Sequence, residues 1–284
     1  MNGLAWTTAA VAEAMGAVMH GHDAPLRGVS IDSRRIQPGN LFIALSGERV
    51  DGHDYVAQAA KSGAVAVAVE RDIDAPISRL VVDDAKVALG RLGAAWRGQF
   101  DVPLVGITGS NGKTTVKEMV ASIAAQVGEP LATRGNLNNE LGVPLTLCEL
   151  DQRHRSAIVE MGANHIGEIA YLASLAKPLV GIVTQCAPAH LEGFGSIEGV
   201  AQGKGELFTS LPTHGCAVIN ADDDYANFWK GLTTANRTLT FGLDNAADVT
   251  GEWSYGPRGI ELHIVCPQGH IRADLSLLGR HNVL

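Results

Sequence analysis

The chain has 284 residues, 46% hydrophobic and 18% charged, which supplies ample apolar side chain for a core and excludes intrinsic disorder as a description of the whole. At roughly 100 to 200 residues per domain, that length points to two domains. The formal net charge is −8, and residues 1–100 hold 10 basic against 11 acidic side chains, so no basic face is offered to a nucleic acid and any bound phosphate must be held by a few shaped sites.

No apolar run approaches the ~18 residues of a membrane span, and residues 1–16 lack the basic start and long apolar core of a signal peptide. The expectation is a cytoplasmic protein with no membrane span. Cys148, Cys186, Cys216 and Cys266 stand 38, 30 and 50 residues apart, without a CxxC pair, and read as reduced core residues.

In chain order, residues 1–100 show short strand-like runs, LFIAL (41–45), AVAVAVE (64–70) and RLVVDD (79–84). Helical stretches over 55–62 and 86–97 separate them, the pattern of a small α/β unit. Two turn-forming clusters flank LFIAL, one over 30–34 and one over 47–53. Each is either an ordinary surface turn or a holder of a charged ligand through Arg34 and the backbone amides around Gly47. Pro103 precedes a new apolar run, so the predicted domains are 1–100 and 101–284.

From Leu104 the repeats lengthen: PLVGITG, a helix over 113–127, SAIVEMG, a helix over 167–177, LVGIVTQ, a helix over about 197–211, then CAVINAD. This alternation predicts an α/β fold with a mainly parallel sheet, ligands lying beyond the carboxyl ends of its strands. After Thr238 the runs TLTFGL, GIELHIV and HIRADLSLLG suggest an antiparallel extension. Residues 279–284 read as the opening of a helix without room to form, and the expectation is that the chain is cut short.

The strongest chemical signal is Gly106-Ile-Thr-Gly109-Ser110-Asn111-Gly112-Lys113-Thr114-Thr115, between an apolar strand and a helical pattern. Glycines let backbone N–H groups approach phosphate oxygens, the helix N-terminus favours an anion, Lys113 reaches the terminal phosphates and Thr114 can ligate Mg²⁺. The usual G-x4-G-K spacing would place glycine at 107, where isoleucine stands, so this is a variant phosphate loop. Glu160, closing SAIVE, is the candidate metal carboxylate; the bland reading is a capping or surface group. His190 follows LVGIVTQ and would reach the same sheet edge, although a lone histidine is more often a loop hydrogen-bonder. Asn136, Asn138 and Asn139 crowd three amides into four positions, as a polar ligand site or as a turn. Lys204 taken alone is a solvated lysine.

Together GITGSNGKTT, TRGNLNNELGVPLTL, IVEMGANHIGEI, APAHLEGFGSIEGVAQGKGELF, LLGRHNV and, in the first domain, SIDSRRIQPGNLFIALSGERVDGHDY resemble the Mur ligase family over nearly the whole chain. These are ATP-dependent amide-forming enzymes of peptidoglycan precursor synthesis. The resemblance implies that ATP phosphorylates the terminal carboxylate of UDP-N-acetylmuramoyl-tripeptide, that the amino group of D-alanyl-D-alanine attacks the acyl phosphate, and that Mg²⁺ assists. It implies that Gly109 to Thr115 and Asn282 contact ATP, that Thr114, Glu160, His190 and Lys204 form metal sites with Lys204 carbamylated, and that Lys113, Glu160, His190 and Lys204 serve catalysis. Ser33, Arg34 and Gly47 would hold the UDP moiety, with Asn136, Asn138 and Asn139 along the substrate path, in a monomer.

The family chain continues into a third, Rossmann-like domain, so the expectation is a chain that binds the UDP-linked substrate without forming the amide. The alternatives are a nucleotide-sugar-binding fragment and the related ligase that adds the third peptide residue. Folylpolyglutamate synthetase would lack the first domain, and a GTPase would need an N-K-x-D element, which is missing.

Overall fold

The computed structural model describes residues 3–47 and 50–284. Strand β1 (Ala5–Thr7) runs directly into helix α1 (Thr8–Met15), which starts where the Thr7 hydroxyl accepts the Ala10 N–H and stops at Gly16, whose φ of 70° suits glycine. There follow β2 (Val18–His20), β3 (Pro25–Arg27), β4 (Val29–Ser30), β5 (Leu41–Ile43), α2 (Val56–Lys61), β6 (Ala66–Val69), β7 (Ser78–Val81) and α3 (Ala85–Arg97). Next come β8 (Leu104–Thr108), α4 (Lys113–Ala124), β9 (Glu129–Ala132), α5 (Gly142–Leu147), β10 (His154–Glu160), α6 (Glu168–Ala176) and β11 (Val180–Val183). The rest is α7 (Leu191–Phe194), α8 (Ile197–Thr209), β12 (Cys216–Asn220), α9 (Ala226–Leu232), β13 (Arg237–Phe241), β14 (Thr250–Gly256), β15 (Gly259–Cys266) and β16 (Gly269–Leu275).

These elements group into two units. One comprises residues through Leu104 with Lys117–Met161 and Tyr171–Ala176; the other comprises Val105–Val116, Gly162–Ala170 and Lys177–Leu284.

In the first unit five strands lie in the order β2-β7-β6-β5-β4, parallel except for β2 against β7. The unbroken apolar runs Leu41–Ile43 and Ala66–Val69 are buried throughout, as strands covered on both faces must be. Phe42, Val67 and Val69 pack with Ile36, Val56 and Ala59. Helix α3 begins where Asp84 accepts the Val87 N–H at 2.9 Å, and its Ala88, Leu89, Leu92 and Trp96 turn inward at helical spacing. Trp96 donates from its indole to the Leu150 carbonyl at 3.0 Å. The buried Arg97 guanidinium donates to the carbonyls of Phe100, Val102 and Ala176 and so pins the segment ahead of Pro103. Strands β9 and β10 pair in parallel within this unit.

In the second unit β8, β11, β12 and β13 form a parallel ladder, with Val105↔Val180, Val180↔Cys216 and Cys216↔Arg237 in register. TLTFGL therefore does not open the antiparallel extension expected of it. Helix α9 precedes it, and a crossover helix returns the chain parallel to the strand before. The antiparallel part is β14-β15-β16, and β14 had no expected counterpart. Residues 280–282 make one 3₁₀ turn.

All four cysteines are free thiols, but only Cys148 is buried and the other three are half-buried, a correction to their reading as core residues. Burial pushes the Cys148 thiol up to about 12. Among the described residues no helix is long and apolar enough to cross a membrane.

Candidate functional site

In the second unit β8 ends at Thr108 and the chain turns through Gly109 to Gly112 into α4. Gly109 sits at φ +140° and a Cβ there would lie 1.9 Å from Thr184 Oγ1, so only glycine fits. The loop is laced to the strand beside it. Ser110 N–H donates to the Gln185 carbonyl at 2.9 Å, and its hydroxyl both donates to the Ala187 carbonyl at 2.9 Å and accepts the Ala187 N–H at 3.0 Å. Thr184 donates from Oγ1 to the Asn111 carbonyl at 2.6 Å. Lys113 folds back over the loop, its Nζ donating to the carbonyls of Gly109 at 2.7 Å and Ser110 at 3.3 Å. Gly112, Thr114 and Thr115 are exposed, so the mouth of the loop and the first turn of α4 face outward, where backbone amides can receive an anion. The fully buried Thr108 hydroxyl at the foot of the loop has no hydrogen-bond partner among the described residues, an unsatisfied polar group kept at the place where the loop begins.

Lys204, expected as a solvated lysine when read alone, is 2% exposed. It lies in α8, which Ser196 caps by accepting the Gly199 N–H at 3.2 Å. Its Nζ donates to the Ala163 carbonyl at 3.3 Å and stands 5.2 Å from the centre of the Phe194 ring. Burial, with the Lys113 charge second, lowers its pKa to about 8. Two residues on, Glu206 accepts the N–H groups of Gly167 at 2.6 Å and Ala170 at 3.0 Å. His190 is exposed, at a left-handed φ of 52°, and its carbonyl accepts the Gly193 and Phe194 amides that start α7. It thus stands between Ala187, tied to the loop serine, and Phe194, beneath the lysine. Asn282 ends a 3₁₀ turn over Arg280–Asn282 and turns its amide back onto the Leu278 carbonyl at 2.8 Å.

In the first unit Glu160 ends β10 and is 2% exposed. Its Oε1 accepts the Asn138 amide at 2.8 Å, joining two residues singled out in the sequence, while its own N–H donates to Thr133 Oγ1 at 3.0 Å. Asn139 instead serves the backbone, accepting the Leu141 and Gly142 amides at 3.2 and 2.9 Å at the start of α5, and Asn136 is exposed. Arg34 is 82% exposed and paired to Asp32 at 2.9 Å, a hydrogen bond that lowers the Asp32 pKa. Ser33 is buried in the same turn, and Gly47 donates its N–H to the Val50 carbonyl at 3.0 Å. Glu48 and Arg49 of that cluster lie outside the described residues.

Thr184, Thr133 and Phe194 escaped the sequence reading. The only signal for the first two was a threonine closing an apolar run, and Phe194 stood within APAHLEGFGS with no role of its own. Among the described residues no three His, Cys, Asp or Glu side chains cluster to hold a metal ion. The Thr114 hydroxyl and the Glu160 carboxylate are nonetheless hard oxygen donors of the kind Mg²⁺ takes when it keeps several waters and shares substrate phosphates. The Lys204 amine is no ligand for such a cation.

Two family descriptions match the chain: "Mur ligase middle domain" over residues 107–284 and "Mur ligase family, catalytic domain" over residues 25–97. The UDP-N-acetylmuramoyl-tripeptide--D-alanyl-D-alanine ligase of Escherichia coli strain K12 is 42% identical, over 98% of this chain and 62% of its own length. The crystal structure of MurF from Acinetobacter baumannii superposes with a TM-score of 0.93 at 36% identity, over 100% of this chain and 63% of that one. MurF ligase from Thermotoga maritima, solved with ADP, gives 0.81 at 28% identity, over 90% and 60%. The chain thus spans about three fifths of the length of these relatives. With the middle-domain match covering more than half of its residues, this chain belongs to the Mur ligase family.

Proposed function

We propose that the chain serves an ATP-dependent ligase that joins D-alanyl-D-alanine to UDP-N-acetylmuramoyl-tripeptide. The observation that carries this is the loop over 109–112, locked by Thr184 and Ser110 with Lys113 folded across it and its mouth open, in a chain 42% identical to a ligase of that name. A carboxylate is a poor electrophile. Transfer of the ATP γ-phosphoryl group to its oxygen, with release of ADP, makes that oxygen a leaving group. The amine then attacks the carbonyl carbon, phosphate departs with the oxygen, and the amine gives up a proton as the amide forms.

In this reading Gly109, Ser110, Asn111, Gly112, Thr114 and Thr115 cradle the phosphates, Asn282 contacts the adenine, and Lys113 exchanges its loop carbonyls for phosphoryl oxygens as charge builds. Bound Mg²⁺ would neutralise the polyphosphate, held by Thr114, Glu160, His190 and a carbamylated Lys204. A carbamate needs a neutral amine, and at pH 7 a pKa near 8 in place of 10.5 raises the neutral fraction roughly 300-fold. Carbamylation turns a cation that would repel the metal into an anion that binds it. Residues 1–100, through Ser33, Arg34 and Gly47, would take the UDP moiety and residues 101–284 the ATP, with Asn136, Asn138 and Asn139 along the tripeptide, in a cytoplasmic monomer.

The test is coupled ADP release with mass detection of the amide product. Turnover that requires both the UDP-tripeptide and D-alanyl-D-alanine, and that vanishes in Lys113→Ala, supports the reading. ATP turnover that ignores both substrates, or that persists in a folded Lys113→Ala protein, overturns it.

A further inference from the structure

Helix α4 is amphipathic in an unusual sense: its one fully buried side chain among the described residues is Lys117, 2% exposed, while Ile123 of the same helix is 71% exposed. Lysine is almost never buried without a partner. The Lys117 ammonium donates to Glu118 Oε1 at 2.5 Å and to the Thr133 carbonyl at 2.9 Å. Glu118 does not explain the burial, because its side chain is 67% exposed and could pair with a lysine turned to solvent. The inward contact is the one to Thr133.

Thr133 uses every polar group it has. Its N–H donates to the Ile158 carbonyl at 3.0 Å, its hydroxyl accepts the Glu160 N–H at 3.0 Å, and its carbonyl accepts Lys117. On the far side of Glu160, Asn138 donates to Oε1 at 2.8 Å. A continuous chain of hydrogen bonds therefore runs from Lys117 through Thr133 to the backbone of Glu160, and Asn138 holds the carboxylate end. Cutting it at Lys117 would leave a buried carbonyl unsatisfied and free the strand end that carries Glu160 to shift.

We infer that Lys117 is a positioning residue for the Glu160 carboxylate. This rests on the reading of Glu160 as a Mg²⁺ ligand and adds a residue that touches neither metal nor substrate. Partners that orient a ligand change metal affinity by about 10- to 100-fold when removed. A lysine serving only to fasten α4 would change stability and leave the metal untouched. Lys117→Met keeps the side-chain volume while removing the hydrogen bond; both roles predict some loss of stability, and the Mg²⁺ readout separates them because only positioning moves it.

The experiment titrates Mg²⁺ into the 284-residue chain with a fluorescent ATP analogue and follows thermal melting in parallel. The expected result has four parts: metal-free nucleotide affinity in Lys117→Met within about twofold of the parent, the Mg²⁺ half-saturation point raised about tenfold or more, Lys117→Arg restoring most of it, and Lys117→Met adding little to Glu160→Gln. Thr133→Val should weaken Mg²⁺ in the same way. If the parent binds Mg²⁺ with nucleotide and Lys117→Met does so equally well, or if its loss adds in full to that of Glu160→Gln, this inference fails and the reading of the site stands. If Glu160→Gln itself leaves Mg²⁺ unaffected, the site reading fails and the inference goes with it.

Discussion

Two single residues carry charge and strain that mutation can expose. Gly109 combines a φ of +140° with an atom 1.9 Å from where a Cβ would stand, so Gly109→Ala must both strain the backbone and displace Thr184. The expected loss is on the order of 2–3 kcal/mol in urea unfolding, with a larger proportional loss of nucleotide affinity in a fluorescence titration. For Lys204 the folded pKa of about 8 lies below the unfolded 10.5, so between these values the unfolded chain binds more protons and stability rises with pH. Below pH 8 the penalty is complete. Lys204→Met in CO₂-free buffer should therefore stabilise the chain at pH 7, by up to about 3 kcal/mol, and the advantage should shrink toward pH 10.5. An advantage independent of pH would show that the lysine is not held in its charged form at a cost. Lys113 was legible because its chemistry is written in its immediate neighbours. The burial of Lys117 and of Lys204 was not, although the family resemblance marked Lys204, because burial of a lysine comes from contacts far along the chain: Thr133 lies 16 residues from the first and Ala163 lies 41 from the second.

Helix α8 shows how an element can sacrifice propensity for approach. Glycine costs a helix interior about 1 kcal/mol relative to alanine, yet Gly199, Gly203 and Gly205 all lie within α8. A Cβ on Gly203 would meet Phe194 Cε1 at 2.5 Å, and one on Gly205 would meet Leu232 Cδ1 at 2.6 Å, so the glycines let Phe194 and α9 close on the faces that flank Lys204. Gly203→Ala gains propensity and loses more to overpacking. We expect a net loss on the order of 1 kcal/mol by thermal unfolding and a displaced Phe194 ring, seen as a changed chemical shift for the Lys204 methylenes. A stabilised protein with an unmoved ring would contradict this account. Helix α8 was read from the sequence over about 197–211. Helix α9 was not, and its omission is what reversed the expected direction of β13.

At the scale of the molecule, the alternation of strand and helix was legible because each buried strand advertises itself as a short apolar run. Pairing was less so, since the partner of a strand is chosen by the connection between them and not by its own residues. Asn138 and Glu160 were each marked by type, but only folding shows that a separation of 22 positions closes into one contact.

The small sheet β14-β15-β16 has a consequence for the time course of opening. Its neighbours in sequence pair over seven consecutive positions each, Thr250↔Val265 through Gly256↔Gly259 and Ile260↔Leu275 through Cys266↔Gly269, whereas ahead of these strands the approach to β14 is tied to the end of β13 by the bridge Phe241↔Val249 and by hydrogen bonds between Thr240 and Asp248. Contacts so local can be lost and remade without disturbing the parallel ladder, so the meander should behave as its own cooperative unit. In deuterium exchange read by mass spectrometry, peptides covering 250–275 should exchange together, sooner than β8, β11 and β12, with the central strand β15 last among the three. Exchange of the whole second unit in a single event would show that the sheet and the loop over 109–112 open as one.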